Sequence, residues 1–388
     1  MSHSSTKLHQ LEGLRGIAAF MVVLSHLRLT FFVDAEQVIT SHWGSTAAVF
    51  FEAIIDGNFA VWLFWVMSAL VLSLRFHMSS DASACSTMLT DAAIRRYPRL
   101  LVPVMASVLF AWILHQAGLM SNVQLANLLG PKYDEWLGSF YLFEPNGIAA
   151  LKSAAWEAFF AYELSSSYNS ALWTMEPELY GSLFLFAYLA LAGKHSARWL
   201  IYLVTIGIVY CLSIHWINAF VIGAMICDWF VNRDALRKFF PDVLGRYATC
   251  LVHHQGIAVL SILPMMFLIG LTNLGGVLHL LLASMLTAYV VVSRPAGNLF
   301  SRKLPVFLGK ISFGLYLAHT PIICAVAYPV YSNLLGLFSP WFAAIVASIL
   351  LIGLSLLSGW VMWFIADRPA IAFARKVAHV LKPRTPKS

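Results

Sequence analysis

The stretch LEGLRGIAAFMVVLSHL, residues 11–27, predicts a membrane-spanning helix. It is an apolar run that follows a polar N-terminus and is flanked by Glu12 and Arg15, so we interpret it as a retained first membrane span rather than a cleaved signal. The whole chain agrees with this, because 60% of its residues are hydrophobic and only 11% are charged. A soluble domain usually carries about a quarter charged residues. Lipid is therefore the expected solvent for much of the surface.

Apolar runs of this kind recur along the chain. A bilayer core of about 30 Å requires about 20 mostly apolar helical residues, and ten segments approach that length. They lie near 13–33, 47–74, 100–120, 174–192, 199–213, 215–231, 250–270, 274–293, 308–331 and 341–366. The predicted fold class is all-α: one polytopic transmembrane helix bundle of about ten spans, forming a single domain over residues 1–388.

The distribution of basic residues predicts the orientation of this bundle. With a cytoplasmic N-terminus, only Arg28, Lys132 and Lys152 fall on the outer side of the membrane, and every other lysine and arginine is cytoplasmic. Positive charge resists translocation, so this asymmetry favours ten spans with both the N- and C-termini in the cytoplasm.

One connection, residues 121–172, is unusually long and lies on the predicted outer or lumenal side. It carries many aromatic residues and more acidic than basic ones. A structureless loop of this length is uncommon in a compact domain, and the aromatic content argues against disorder. We expect a folded cap.

The first span contains two ionisable residues on one face. Arg15 and His26 are eleven residues apart, which in a helix is three turns plus about 20° and an axial offset of about 16 Å. Arg15 would lie at the cytoplasmic end and His26 somewhat beyond the bilayer middle. An ionisable side chain at that depth faces a cavity or a partner by default, although a histidine taken alone could equally be packing.

Three further segments carry polar residues that apolar packing does not explain. The run RRYPR, residues 95–99, opens the third span and makes a forked-donor site that suits phosphates, such as those of coenzyme A. Glu176 and Glu178 stand at the entrance of the fourth span, and His319 lies within the ninth. Asp367-Arg368-Pro369 is interpreted as a helix stop with a local ion pair.

Taken in order, these segments resemble the acyltransferase-3 family of membrane acyltransferases. The similar stretches are LEGLRGIAA…H (11–26), GNFAVWLFWVMS (57–68), RYPR (96–99), WTMEPE (173–178) and LGKISFGLYLAHTPI (308–322). They include an R-x10-H pair formed by Arg15 and His26, and the resemblance extends over residues 11–369. After Glu178 the chain continues LYGS, which looks more like the fungal branch and leaves the acceptor class open.

The resemblance implies a role for each matching residue. Arg15, Arg96 and Arg99 would hold the phosphates of acyl-CoA, and His26 would be the catalytic base or would carry a covalent acyl group. Glu178 would orient or charge-balance a histidine. The supporting residues would be Trp173, Ser68, Tyr316 and His319, of which His319 could donate to the developing oxyanion.

The implied function is membrane-embedded transfer of an acyl group, acetyl first, from acyl-CoA to a hydroxyl. The expected acceptor is a small molecule such as a secondary metabolite, with a glycan or lipid as the alternative. Acyl-CoA is a co-substrate, and we expect no permanently bound cofactor, no metal and no nucleic-acid partner. The expected location is an internal membrane such as the endoplasmic reticulum in a eukaryote, or otherwise the plasma membrane.

Three other classes of membrane protein are alternatives to this interpretation. Buried histidines and glutamates also mark proton-coupled transporters, but no hydropathy repeat or pair of broken helices is visible. A non-catalytic membrane relative would not need the ordered polar motifs. The membrane O-acyltransferases built around a buried histidine and a distant asparagine show no matching constellation here.

Overall fold

The computed structural model describes residues 8–237, 267–268 and 275–381, and this part of the chain is helical with no strand. Sixteen α-helices are numbered here in chain order. They are α1 His9–Phe31, α2 Ala35–Trp43, α3 Ser45–Ile54, α4 Gly57–Met78, α5 Ala82–Gln116, α6 Asn122–Leu129, α7 Gly147–Lys152, α8 Ala158–Phe160, α9 Met175–Ala192, α10 Arg198–Cys211, α11 His215–Arg237, α12 Gly275–Val292, α13 Arg294–Phe300, α14 Lys303–Leu335, α15 Pro340–Met362 and α16 Arg368–Leu381.

Within these described ranges, six helical segments are long and apolar enough to cross a membrane. They are His9–Phe31, Gly57–Met78, Ala82–Gln116, Gly275–Val292, Lys303–Leu335 and Pro340–Leu381. The first, second, third, eighth, ninth and tenth predicted spans are thereby confirmed as candidate spans.

The other four predicted spans have different outcomes. Predicted spans 174–192, 199–213 and 215–231 correspond to helices α9, α10 and α11, which are not among the six. The predicted span 250–270 lies outside the described residues apart from 267–268. The count of ten spans and the orientation of the termini stay predictions.

The second predicted span begins later than expected. Residues 47–54 belong to the separate helix α3, which ends at Ile54. The N-cap of the next helix, α4, is Asp56, whose carboxylate accepts a hydrogen bond from the backbone N–H of Phe59 at 2.8 Å. An aspartate is a favoured N-cap because it satisfies an otherwise unpaired helix donor. The cap therefore fixes the start of the span at residue 57 rather than 47.

The chain divides into two compact units. The first comprises the described residues of Met1–Val22, Glu36–Met88 and Phe184–Ser312, and the second those of Val23–Ala35, Leu89–Leu183 and Phe313–Ser388. In the first unit α4 packs against α11 and α12, and α10 packs against α11. In the second unit α14 and α15 approach closely, since a Cβ added to Gly314 would lie 2.4 Å from the carbonyl oxygen of Gly359.

A similar close approach joins α1 to α14 inside the first unit. A Cβ on Gly13 would lie 1.8 Å from the carbonyl oxygen of Phe300, and one on Gly309 would lie 1.9 Å from that of Glu12. No side chain fits at such distances, so glycine is required at both positions by contact rather than by backbone conformation.

Replacing Gly309 with alanine is therefore expected to destabilise the protein, because the backbones must separate to admit a methyl group. Overpacking costs about 1–3 kcal/mol, which should lower the thermal unfolding midpoint in detergent by several degrees. Gly207→Ala is the matched control, since no atom lies within 4 Å of its added Cβ and alanine favours helix. An equal midpoint for Gly309→Ala and wild type would contradict the close approach.

The segment 121–172 is built from short helical pieces within the second unit. Asn122 donates from Nδ2 to the carbonyl oxygens of Leu137 and Phe140. Tyr162 donates from its hydroxyl to the Ser170 carbonyl oxygen at 3.0 Å, and burial raises the pKa of Tyr162 to about 12, so the phenol stays a neutral donor. The segment is folded, and its placement on the outer side of the membrane stays a prediction.

The predicted helix stop at Asp367 is wrong. The chain continues from α15 through a π-helical turn, Trp363–Asp367, directly into α16. Proline is tolerated in the first turn of a helix because it lacks only an N–H that has no partner there, so Pro369 does not break this helix. Asp367 forms an ion pair with Arg99 rather than with its neighbour Arg368.

Candidate active site

Two histidines from distant parts of the sequence meet within the second unit. Nδ1 of His26 on α1 lies 2.6 Å from Nε2 of His319 on α14, and the two rings stack with centroids 4.8 Å apart. His319 is fully buried, whereas His26 is partly exposed. The sequence singled out each histidine, and the structure brings them together.

The other contacts of His319 indicate which ring nitrogen of His319, and therefore of His26, carries the proton. Nδ1 of His319 lies 3.2 Å from the carbonyl oxygen of Leu315, which can only accept. We therefore assign the proton of His319 to Nδ1, which leaves its Nε2 as an acceptor for His26 and for the hydroxyl of Thr320 at 3.3 Å. In this arrangement His26 carries its proton on Nδ1, and its Nε2 keeps a free lone pair.

An aromatic ring from the 121–172 segment lies beside this pair. Trp136 has its ring centroid 5.0 Å from that of His26, and Phe140 packs edge-on against Trp136 at 5.2 Å. The sequence indicates a segment rich in aromatic residues but does not predict that Trp136 in particular lies beside His26. No local sequence signal distinguishes Trp136 from its aromatic neighbours.

Arg96, near the middle of α5, and Glu178, in the first turn of α9, form a largely buried ion pair. The Nη2 group of Arg96 donates to Oε1 of Glu178, and its Nε donates to the hydroxyl of Ser182 at 2.8 Å. The side chains of Arg96 and Glu178 are 13% and 15% exposed, which is low for charged groups. Glu178 thus balances an arginine here, whereas the sequence analysis expected it to balance a histidine.

Arg99 lies one turn further along α5 and pairs with Asp367. The distance from Nη2 of Arg99 to Oδ1 of Asp367 is 2.7 Å. The other terminal nitrogen of Arg99, Nη1, is buried and has no hydrogen-bond partner among the described residues. A buried donor without a partner is costly, so this guanidinium is suited to an anionic ligand.

Two π-helical turns of the described residues, Ser153–Glu157 and Trp363–Asp367, contact the RYPR segment. The hydroxyl of Tyr97 donates to the carbonyl oxygen of Ala155, which lies in the turn Ser153–Glu157, at 2.5 Å. Asp367, the partner of Arg99, closes the other turn. Turns of this type are rare and are often found at functional sites, and here they hold the arginine segment from two sides.

A buried hydrogen-bond network sets the level of the histidine pair relative to these arginines. Asn169 donates to the hydroxyl of Ser107 and to the carbonyl oxygen of Leu317, each at 2.7 Å. Ser107 is eleven residues beyond Arg96 on α5, a rise of about 16 Å, and Leu317 is two residues from His319. The arginine segment and the histidine pair are therefore separated by about 16 Å along the helix axis.

The predicted supporting residues have different surroundings. The Tyr316 hydroxyl lies 2.9 Å from that of Thr174 and donates to the Ala171 carbonyl oxygen at 3.0 Å, which ties α14 to the start of α9. Trp173, next in the chain to Thr174, is 42% exposed. These contacts give Tyr316 a structural tie, while Trp173 presents its ring at the surface of the second unit.

Arg15 and Ser68 belong to the first unit. Arg15 donates from Nη2 to the carbonyl oxygen of Gly309 at 3.0 Å, and Ser68 lies half-buried on α4. Among the described residues, no group of three or more histidine, cysteine, aspartate or glutamate side chains is arranged to hold a metal ion.

An apolar helical protein with a part-buried histidine pair and ion-paired arginines fits the class of multi-pass membrane acyltransferases. The chain belongs to the acyltransferase-3 family, whose family model, described as an acyltransferase domain, matches residues 8–362. It is a multi-pass membrane protein.

One curated relative is the O-acetyltransferase PaAT-1 of Phomopsis amygdali. It is 27% identical to this chain over a match of 252 residues, and the match covers 59% of this chain and 49% of the relative. The match therefore covers about half of the relative's length. No solved structure matches the chain.

Proposed function

We propose that the protein is an O-acyltransferase that moves an acetyl group from acetyl-CoA to a hydroxyl of a small molecule such as a secondary metabolite. The observation that carries the proposal is the His26–His319 pair, because it leaves one imidazole nitrogen free for proton transfer. The similarity to an O-acetyltransferase of Phomopsis amygdali supports the acetyl group, and an internal membrane is the proposed location.

In the proposed reaction His26 acts as the general base. The acceptor hydroxyl gives its proton to Nε2 of His26 while its oxygen attacks the carbonyl carbon of the thioester. The tetrahedral intermediate collapses, the carbon–sulfur bond breaks, and the coenzyme A thiolate takes the proton back from His26. His319 stabilises the transient imidazolium by accepting the hydrogen bond from Nδ1 of His26.

On the donor side, Arg96 and Arg99 of the second unit would bind the phosphates of coenzyme A. The unpartnered Nη1 of Arg99 supports this role. The pantetheine arm has about 13 chain atoms between phosphate and sulfur, equivalent to about four extended residues or roughly 15 Å. That length agrees with the rise of about 16 Å between Arg96 and Ser107, so a phosphate near Arg96 would place the thioester at the level of His26.

On the acceptor side, the ring of Trp136 beside His26 supports a flat or ring-shaped acceptor. An indole face packs well against apolar rings and against the apolar faces of sugars. A small polycyclic alcohol would stack there with its hydroxyl toward Nε2 of His26.

Removing the acceptor nitrogen of His319 is expected to slow acyl transfer without weakening donor binding. His319→Leu should lower kcat by about 10- to 100-fold, because a hydrogen bond to a charged group is lost, and the KM for acetyl-CoA should stay near that of wild type. His319→Gln should recover part of the rate, since its side-chain oxygen can accept from His26. If His319→Leu raises KM at unchanged kcat, or if glutamine recovers nothing, the positioning role is refuted.

The proposed function is tested with purified full-length protein in lipid nanodiscs and acetyl-CoA labelled in the acetyl group. Three acceptor pools are supplied separately: hydroxylated small molecules, oligosaccharides and lipids. We expect an alkali-labile labelled ester in the small-molecule pool. Label confined to the oligosaccharide or lipid pool would overturn the acceptor assignment, and no transfer to any pool would overturn the proposed function.

A further inference from the structure

Each of the three arginines in segment 95–99 of α5 already has a carboxylate partner. Arg95 lies 2.9 Å from Asp91, Arg96 pairs with Glu178, and Arg99 pairs with Asp367. The cluster therefore carries little net charge. Coenzyme A brings a pyrophosphate and a 3′-phosphate, and binding several negative charges favours at least one further cation.

Such a cation is present on the C-terminal helix. A cleft of about 160 Å³ lies between residues 91–95 of α5 and helix α16, and its lining residues are Asp91, Arg95, Arg375, Ala378 and His379. We name it the α16 cleft. Arg375 makes no hydrogen bond and no ion pair with any residue that the structure describes, so its guanidinium is available to a ligand in the cleft.

The sequence of α16 explains why these side chains face the cleft. Ala370, Ala374 and Ala378 are buried and recur every four residues, so they form one seam that packs against the protein. Arg375 and His379 follow that seam by one position each and lie four residues apart on one face. The small seam residues bring the helix close, and the two basic side chains border the contact.

We propose that the α16 cleft binds a phosphate monoester, and that its source is the 3′-phosphate of coenzyme A. Arg375 and Arg95 donate to the phosphate oxygens, and His379 adds a third donor. Asp91 holds the guanidinium of Arg95 in place through the pair at 2.9 Å and a second bond from Nε to its carbonyl oxygen. This inference rests on the proposed function, because it assigns part of the same donor site.

The position of the cleft agrees with the length of the donor. Arg95 and Arg99 are four residues apart on one face of α5, about 6 Å along the axis. A coenzyme A molecule with its 3′-phosphate in the α16 cleft would then have its pyrophosphate near Arg99, whose Nη1 has no partner. The pantetheine arm would continue along α5 toward the level of Ser107.

A phospholipid headgroup offers the same phosphate chemistry, and α16 also has exposed apolar side chains at Phe373 and Val380. The two sources are separable because only coenzyme A carries a 3′-phosphate that can be removed without altering the rest of the ligand. Dephospho-CoA, which lacks that phosphate, is therefore the deciding probe.

The experiment measures equilibrium binding of CoA and dephospho-CoA to full-length protein in nanodiscs of phosphatidylcholine alone and with phosphatidylserine. We expect wild type to bind CoA at least about tenfold more tightly than dephospho-CoA, the effect of one charge-assisted contact. In Arg375→Gln the ratio of the dissociation constant for dephospho-CoA to that for CoA should fall to near one. Lys376→Gln is the matched control, because Lys376 is an exposed neighbour on α16 that does not line the cleft.

The outcomes separate this inference from the proposed function. A ratio near one in wild type, or an unchanged ratio in Arg375→Gln, would overturn the cleft assignment even if the enzyme transfers acetyl groups. A ratio set by phosphatidylserine content rather than by the 3′-phosphate would assign the cleft to lipid and also overturn it. Since binding requires no chemistry, a protein that binds CoA with the expected ratio but transfers nothing would refute only the proposed reaction.

Discussion

His26→Ala is expected to lower kcat for acyl transfer by about 10²- to 10⁴-fold, the usual contribution of a general base. Without the imidazole, the acceptor hydroxyl has no nearby group to take its proton as it attacks the thioester. The KM for acetyl-CoA should change little, because the arginines proposed to bind the donor lie about 16 Å away along the helix axis. Initial rates at varied donor concentration, with purified protein in nanodiscs, measure both quantities.

The control for this substitution is His42→Ala. His42 is an exposed histidine on α2 whose ring nitrogen bonds only to neighbours within its own helix and turn, so its loss should leave the rate unchanged. A rate for His26→Ala within twofold of wild type would exclude His26 as the base. A selective rise in KM would instead make it a binding residue.

Arg96→Ala is expected to produce the largest loss of stability. It removes one member of the Arg96–Glu178 pair, whose side chains are 13% and 15% exposed, and takes away the guanidinium that compensates the Glu178 carboxylate. Breaking a buried pair from one side costs about 3–5 kcal/mol. The thermal unfolding midpoint in detergent should fall markedly, and the KM for acetyl-CoA should rise.

A double-mutant cycle isolates the pair from other effects of the substitution. The combined variant Arg96→Ala with Glu178→Ala should be more stable than the sum of the single losses predicts, because no uncompensated charge remains. Lys152→Ala breaks the exposed Lys152–Glu157 pair, whose lysine side chain is 67% exposed, and should cost under about 1 kcal/mol. Additive losses at Arg96 and Glu178 would mean that the two side chains do not interact.

The positions of six spans were predictable because length and hydropathy are properties of contiguous residues. The boundaries were less predictable: the N-cap at Asp56 makes the second span begin ten residues after the start of its predicted apolar run. The π-helical turn at Trp363–Asp367 likewise carries the last helix through a sequence that resembles a stop.

The ionisable residues were found from sequence, but their partners were not. Glu178 pairs with Arg96, and Asp367 with Arg99, across long stretches of chain. Such pairings depend on how each helix is rotated in the bundle, and helical spacing within one segment carries no information about that rotation. Trp136 was missed for the same reason, since its contact with His26 depends on how the 121–172 segment folds back.

The cleft beside α16 was not predictable from sequence. Arg375 follows the alanine seam of α16 in the sequence, but a basic residue at that position is equally expected of a cytoplasmic charge that orients the bundle. The cleft exists only because α16 packs beside residues 91–95 of α5.

A single-turnover measurement with enzyme in excess over acetyl-labelled acetyl-CoA tests whether His26 is the general base. Wild type and His26→Ala are compared with and without an acceptor, and label is followed on coenzyme A, on protein and on acceptor. We expect wild type to move label from coenzyme A to the acceptor only when acceptor is present, and His26→Ala to bind the donor and leave the label on coenzyme A. Equal transfer by the two proteins, or label held on the wild-type protein without acceptor, would contradict His26 as the base.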